Sequence, residues 1–244
     1  EHGVVQAVVC GRPGRDAHVA ALTEAMALAT DAAGKQALPA PCIVPIADSA
    51  GEDLLKYLED TSAFIVDALR GRGSGKVLVA CRQGASRSTS VVLAHMVTSR
   101  GTTVRESFQH VADRRWRLWP NAGFVTQLLR LEERLREGRG QPPLPEEERA
   151  ATLRDIGVHA AWAANRQNLE ECGVGRVSCT LEDVGGFWEQ ACLDCSTLEE
   201  RYEKCKALTL GVDLSAFDDA PVDGPEDAEG RQALDSVKRP RLST

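Results

Sequence analysis

The chain has 244 residues, of which 43% are hydrophobic and 27% are charged, and its formal net charge at pH 7 is −7. This composition is typical of a soluble globular protein with one good core, and the negative charge argues against nucleic acid as a main partner. No apolar run is long enough to span a bilayer and no signal peptide is visible, so we expect no membrane partner. The 8 cysteines are irregularly spaced, which favours the reducing cytoplasm over a disulfide framework.

The first part of the chain alternates strand-like and helical segments. Apolar runs at 4–10 and 42–46 predict buried strands, and the Ala-rich segment 16–30 between them predicts a helix. The spacing Ser49-x-x-Glu52 predicts a capping box that opens the next helix. The apolar residues expected on the inner face of that helix are Leu54, Leu58, Ile65 and Leu69.

The centre of the chain is a short polar loop, 81–88, between two apolar stretches. We interpret it as a tight turn between a buried strand and a buried helix. Its small residues allow the backbone N–H groups to point inward at one anion, and the helix that follows adds the positive end of its dipole. Arg87 can bind two phosphate oxygens, and Cys81 would lie beneath the phosphorus atom, where the positive field favours a thiolate.

This loop resembles the signature loop of the protein tyrosine phosphatases, Cys-x5-Arg followed by Ser or Thr. Cys81, Arg87 and Ser88 match that pattern, and Gly84 matches its internal glycine. The resemblance implies that Cys81 is the nucleophile, that Arg87 holds the phosphate and that Ser88 helps the thiolate leave. The family almost always has histidine before the cysteine, and this chain has Ala80. By the same resemblance, the phosphate-binding residues are Arg82, Gln83, Gly84, Ala85, Ser86 and Arg87.

The order of segments resembles the dual-specificity branch of that family in particular, from about residue 4 to residue 135. Residues 48–55 look like the general-acid loop and the helix after it, and 120–124 looks like the branch's closing segment. We expect the family's usual opening hairpin to be missing before Val4. The resemblance makes Asp48 the general acid, which protonates the leaving oxygen. Asp53 is the rival acid, although we expect it to be an exposed carboxylate in the first turn of a helix.

Several other features have two interpretations. Asn121 either caps its helix or forms a structural hydrogen bond near the loop, and Arg114, Arg115 and Arg117 either attract phosphorylated substrate or form a solvated basic face. Cys192 and Cys195 have zinc-like spacing but no histidine close by, so we expect no zinc site. The resemblance implies no metal or cofactor.

The chain divides into four parts by composition. Residues 1–137 form the expected catalytic domain, and 138–150, rich in Gly, Pro and charge, form a linker. Residues 151–210 look like a truncated or degenerate second phosphatase-like segment, which either stands alone or completes the first domain. Residues 211–244 form an acidic tail that we expect to be disordered. The basic patch 238–241 is either a nuclear-localisation signal or a solvated end, so a nuclear location stays open beside the cytoplasm.

The sequence therefore predicts an α/β fold, with a mostly parallel central sheet flanked by helices on both faces and the phosphate loop at the C-terminal end of a strand. The predicted function is hydrolysis of phosphotyrosine and phosphoserine/threonine in protein substrates through a phosphocysteine intermediate. One alternative is a pseudophosphatase that binds phosphoproteins without turnover, which Ala80 favours. A second is a phosphatase of lipid, RNA or glucan phosphates, which no carbohydrate module or strongly basic face supports.

Overall fold

The computed structural model describes residues 3–29, 38–71 and 75–171, together with the single residues 195, 197, 200 and 204. In this part of the chain the strands are β1 (Val4–Cys10), β2 (Cys42–Val44) and β3 (Lys76–Ala80). The helices are α1 (Ala17–Leu28), α2 (Leu55–Gly71), α3 (Arg87–Arg100), α4 (Val104–Ala112), α5 (Ala122–Gly138) and α6 (Glu146–Glu171). None of these helices has the length and apolar character needed to cross a membrane.

The strands form one parallel sheet in the order β2-β1-β3, with Val8 of β1 paired to Cys42 on one side and to Val79 on the other. Successive side chains of β1 point to opposite faces. Val8 lies in the main hydrophobic cluster, whereas Ala7 packs with Met26 of α1 in a second cluster. Helices therefore cover both faces of the sheet. The predicted α/β fold with a parallel sheet is confirmed.

Parallel strands end at the same edge of a sheet, and this fixes which residues meet. The loops that follow β1, β2 and β3 carry Asp16, Asp48 and Cys81, respectively. In open parallel sheets this edge is where ligands bind. The fold thus gathers two carboxylates and one thiol that are distant in sequence.

The predicted capping box at Ser49 and Glu52 is wrong, because α2 begins only at Leu55. The amides of Leu54 and Leu55 instead donate to Oε1 of Gln127 on α5, at 2.7 and 3.1 Å. Nε2 of Gln127 donates in turn to the Glu52 carbonyl at 2.8 Å. A side chain from another helix thus satisfies amides at the helix start, which have no partner within the helix itself.

Helix α6 packs on the predicted catalytic unit. It begins at Glu146, inside the predicted linker, and its residues Leu153, Ile156 and Ala160 belong to the same buried cluster as residues of α3 and α5. An ion pair of 2.7 Å joins Asp155 on α6 to Arg105 on α4. The part of α6 after residue 150 therefore shares the core of the first unit. The division at 138–150 stays a prediction, and the predictions for 172–210 and 211–244 fall outside the described residues except at 195, 197, 200 and 204.

Candidate active site

The loop 81–88 closes around the sulfur of its first residue. Sγ of Cys81 lies 3.2 Å from Oγ of Ser88, and the amide of Gly84 donates to the same sulfur at 3.2 Å. Gly84 has φ of 70°, the left-handed conformation that residues with a Cβ rarely adopt, so a glycine suits this position of the loop. Arg87 follows as the first residue of α3. The structure thus brings together the cysteine, glycine, arginine and serine singled out in the sequence.

The environment of Cys81 favours a thiolate. Burial raises the pKa of the thiol, but hydrogen bonds from the hydroxyl and amide of Ser88 and the amide of Gly84, with the charge of Arg87, outweigh it and hold the pKa below its ordinary value. The neighbouring Cys10 behaves in the opposite way. Burial raises the pKa of Cys10, and the nearby Cys81 raises it further. Of these two thiols, Cys81 is the one whose surroundings favour the thiolate.

Arg87 is almost fully buried and is held from one side. Its Nη1 donates to the carbonyl of Ile46 at 3.3 Å and to Oδ2 of Asp16 at 3.4 Å. Its Nε lies 3.9 Å from Oδ2 of Asp48 and has no hydrogen-bond partner among the described residues. Asp16 was not predicted from the sequence to be a site residue. Its position after the first predicted strand was the available signal, because the ends of parallel strands meet.

Asp48 lies at the loop, as the sequence predicts. Its Oδ1 accepts hydrogen bonds from Oγ of Ser86 at 2.5 Å and from Nδ2 of Asn121 at 2.9 Å. Its side chain is 36% exposed, so a substrate can reach it. The rival, Asp53, is exposed and makes no hydrogen bond or ion pair to the loop within the described ranges. Asp48 is therefore the carboxylate in position for proton transfer, although its role stays a prediction.

Asn121 fulfils both of its predicted structural roles. Its Oδ1 accepts from the amide of Phe124 at 2.9 Å and so caps α5. Its own amide donates to Oγ of Ser86 at 3.2 Å, and its Nδ2 binds Asp48. Two residues before Asn121, the amide of Trp119 donates to the carbonyl of Ala85 at 3.1 Å. The segment 116–121, which we call the support segment, thus binds the phosphate loop through hydrogen bonds from its backbone amides to Ala85 and Ser86.

The support segment is itself held by α6. Nε2 of His159 donates to the carbonyl of Trp116 at 2.9 Å, and burial lowers the pKa of this histidine. The ring of Trp162 meets the Trp116 ring edge to face at 6.2 Å between centroids, and the Arg166 guanidinium lies 4.3 Å from the Trp116 centroid. No sequence pattern predicted this contact, because it joins residues on elements far apart in the chain.

The remaining predicted residues differ in exposure. Arg82 and Gln83 are exposed, whereas Ala85 and Ser86 are buried. Arg115 lies against the loop, since a Cβ built on Gly84 would be 2.8 Å from its Nη2. Two further arginines have protein partners, because Arg114 donates to the carbonyl of His110 and Arg117 to Oε1 of Gln167. Among the described residues no group of three or more His, Cys, Asp or Glu side chains could hold a metal ion.

Comparison with known proteins agrees with this geometry. Residues 20–134 match the family model for the catalytic domain of dual specificity phosphatases. The chain belongs to the dual-specificity phosphatase family. Dual specificity phosphatase 28 from Homo sapiens is 40% identical over 103 residues, which cover 41% of this chain and 57% of that protein. Dual specificity protein phosphatase 5 from Homo sapiens is 33% identical over 102 residues, which cover 42% of this chain and 26% of that protein.

Solved structures of the dual-specificity phosphatase family are also similar to the chain. The crystal structure of human DUSP28 matches at 31% identity with a TM-score of 0.44, covering 56% of this chain and 82% of that chain. The chain spans about half (57%) of the length of dual specificity phosphatase 28 and a quarter (26%) of that of phosphatase 5.

Proposed function

We propose that this dual-specificity phosphatase hydrolyses phosphotyrosine and phosphoserine/threonine in proteins through a phosphocysteine intermediate. The observation that carries the proposal is the loop 81–88. It combines a buried thiol of lowered pKa with an arginine whose Nε has no partner in the described part of the chain. An anion with several oxygens and an electrophilic centre is the chemistry that such a loop complements.

The first step transfers the phosphoryl group to sulfur. The Cys81 thiolate attacks phosphorus, the bond from phosphorus to the leaving oxygen breaks, and Asp48 donates a proton to that oxygen. Arg87 and the loop amides hold the three equatorial oxygens and stabilise their charge in the transition state. Oδ1 of Asp48 already accepts two hydrogen bonds, which leaves Oδ2 to carry the proton.

The second step releases phosphate. Asp48, now a carboxylate, takes a proton from a water molecule whose oxygen attacks phosphorus, and the bond from phosphorus to sulfur breaks. The electron pair returns to Cys81. The hydroxyl of Ser88, 3.2 Å from the sulfur, stabilises the thiolate as it leaves.

A pseudophosphatase that binds phosphoproteins without turnover is the second candidate. The observation in its favour is Ala80, which ends β3 where the family has histidine and offers no polar side-chain atom to the loop. The groups that lower the pKa of Cys81 are then the hydroxyl and amide of Ser88, the amide of Gly84 and the charge of Arg87.

Hydrolysis of a small aryl phosphate by the purified chain, in the presence of a thiol reductant, separates the two candidates. We expect turnover by the wild type and by Cys42→Ser, which removes a half-buried thiol outside the loop. We expect none by Cys81→Ser, which should still bind vanadate because the loop amides and Arg87 are unchanged. Vanadate binding without turnover in the wild type would support the pseudophosphatase instead.

A further inference from the structure

Asp16 occupies the N-cap position of α1 without capping it. An aspartate at this position usually accepts a hydrogen bond from an amide in the first helical turn, yet the Asp16 side chain makes no such bond. Its Oδ2 instead accepts from the amide of Arg12 at 2.6 Å and from Nη1 of Arg87 at 3.4 Å. The carboxylate is therefore directed to the phosphate loop and not to its own helix.

The donors of Arg87 are divided between its two sides. Nη1 is bound by Asp16 and by the carbonyl of Ile46. Nε is buried and has no hydrogen-bond partner in the described ranges. In a planar guanidinium, Nε and Nη2 form the edge that can bind two oxygens of one phosphate side by side. Contacts to Nη1 thus hold the guanidinium by its other side, while Nε, 3.9 Å from Oδ2 of Asp48, makes no hydrogen bond to a described residue.

Asp16 also keeps its charge. Burial raises the pKa of Asp16, but the hydrogen bond from the Arg12 amide and the charge of Arg87 outweigh it and hold the pKa below its ordinary value. We propose that Asp16 is a positioning residue that orients the guanidinium of Arg87, so that its Nε and Nη2 edge meets two oxygens of the bound phosphoryl group. This inference rests on the proposed function of the loop as a phosphate site.

Charge and orientation predict opposite effects when Asp16 is removed. A carboxylate near an anion site repels the anion, so the loss of its charge alone should strengthen phosphate binding. The loss of its contact with Arg87 frees the guanidinium to rotate, and a bidentate contact then loses the benefit of being prearranged. A weaker affinity on removal of a negative charge is therefore specific to the positioning role.

The test is calorimetric titration of the full chain with orthovanadate at neutral pH. Asp16→Asn keeps an oxygen for the Arg12 amide but removes the charged contact with Arg87, and we expect vanadate to bind about tenfold more weakly, as for the loss of one charge-assisted hydrogen bond. Asp16→Ser, which suits an N-cap but cannot reach Arg87, should show the same loss. Asp16→Glu keeps a carboxylate and should therefore bind vanadate more tightly than Asp16→Asn and more weakly than the wild type. The matched control is Asp155→Asn, which breaks the Arg105 ion pair outside the site and should bind vanadate like the wild type.

A double-mutant cycle with Arg87→Lys tests whether the effect of Asp16 on vanadate affinity acts through Arg87. Lysine has no planar edge to orient, so Asp16→Asn should cause no further loss in that background. Vanadate binding by Asp16→Asn that equals or exceeds that of the wild type would overturn the proposal, as would an equal loss in the Arg87→Lys background. Vanadate binding needs no turnover, so an inactive chain with Asp16-dependent binding contradicts only the proposed enzyme. A wild type that binds no vanadate contradicts both proposals.

Discussion

His159 on α6 and Trp116 in the support segment are joined by a hydrogen bond of 2.9 Å from Nε2 to the backbone carbonyl. Trp119 and Asn121 of the same segment bind Ala85 and Ser86 of the phosphate loop. Helix α6 lies outside the region matched by the family model, residues 20–134. A helix beyond the matched domain thus supports the loop that we propose to be catalytic.

Protonation of His159 should weaken the fold in acid. Burial lowers the pKa of His159 in the folded state below its value in the unfolded chain, so the unfolded chain binds more protons in that pH range. The free energy of unfolding should be fully maintained above about pH 6.5, the ordinary histidine pKa, and fall as the pH drops below it. His159→Gln, whose amide can still donate to the Trp116 carbonyl, should reduce this dependence in urea titrations at several pH values.

Burial also lowers the pKa of His95, so it contributes a separate part of the same dependence. His95→Gln should therefore reduce the slope independently, and the double variant should reduce it further. If His159→Gln retained the full wild-type pH dependence, the buried imidazole of α6 would not be its source.

Truncation of Ile156 should destabilise the whole catalytic unit. Ile156 lies on α6 and is 0% exposed within the main cluster. Ile156→Ala should lower the free energy of unfolding by about 2–5 kcal/mol, the usual result of removing buried methyl groups. Leu28→Ala is the control, since Leu28 is 80% exposed on α1 and its truncation should change stability by less than about 0.5 kcal/mol. Urea denaturation measures both, and equal small effects would mean that α6 is not part of the core.

Gln127 should be essential to the start of α2. Gln127→Ala leaves the amides of Leu54 and Leu55 and the carbonyl of Glu52 without their partner, and each unsatisfied buried group costs about 1–3 kcal/mol. Gln127→Glu keeps the acceptor but loses the donor, so its effect on the free energy of unfolding should be smaller. A Gln127→Ala protein as stable as the wild type would show that water replaces the side chain at little cost.

Ser88 should control the reactivity of Cys81. In the wild type, the rate of Cys81 alkylation by iodoacetate should rise at a lower pH than it does for an ordinary thiol, because the pKa of Cys81 is lowered. Ser88→Ala removes the hydroxyl at 3.2 Å and should move the profile to higher pH. Ser107→Ala removes another buried serine hydroxyl, bonded to Thr102 and not to the loop, and should leave the profile in place. Peptide mass spectrometry of the alkylated protein locates the modified cysteine.

Substitution of Asn121 should separate its two roles. Asn121→Asp retains an oxygen that caps α5, but it replaces the donor to Asp48 by a second carboxylate. Like charges at this distance raise the pKa of one carboxyl group, so the pH profile of aryl phosphate hydrolysis should shift while thermal stability changes little. Asn121→Ala should also lower the free energy of unfolding by about 0.5–2 kcal/mol through loss of the cap. An unshifted profile for Asn121→Asp would mean that Asp48 is not coupled to this side chain.

The parts of the site that are local in sequence were predictable. Cys81, Gly84, Arg87 and Ser88 lie in one short loop, and their spacing alone places backbone amides and charge around the sulfur. Asp48 was predicted through the resemblance of residues 48–55 to the family's general-acid loop. The fold class followed from alternating apolar runs, which the parallel sheet confirms.

The contacts that the sequence did not predict all join distant elements. Gln127 binds the start of α2 across 72 residues, and Asp16 meets Arg87 across 71. A local pattern assigns each side chain to its nearest partners, so Glu52 was expected to cap α2 and Asp16 to begin a helix. The helix does begin after Asp16, but the Asp16 side chain binds Arg87, and Gln127 takes the place expected for Glu52. A buried amide or guanidinium is satisfied by whichever acceptor the fold brings within reach.

The close packing of Gly123 on Ala50 has a mechanical consequence. A Cβ on Gly123 would lie 2.6 Å from Cα of Ala50, so the two backbones touch without space for even a methyl group. Gln127 and Asn121 fasten the same stretch by side-chain hydrogen bonds on either side of this contact. A hinged swing of the segment that carries Asp48 would therefore have to break these contacts with α5. The Asp48 carboxylate already lies at the loop without substrate. We therefore expect the turnover rate not to fall as solvent viscosity is raised, because no flap has to close before the chemical step.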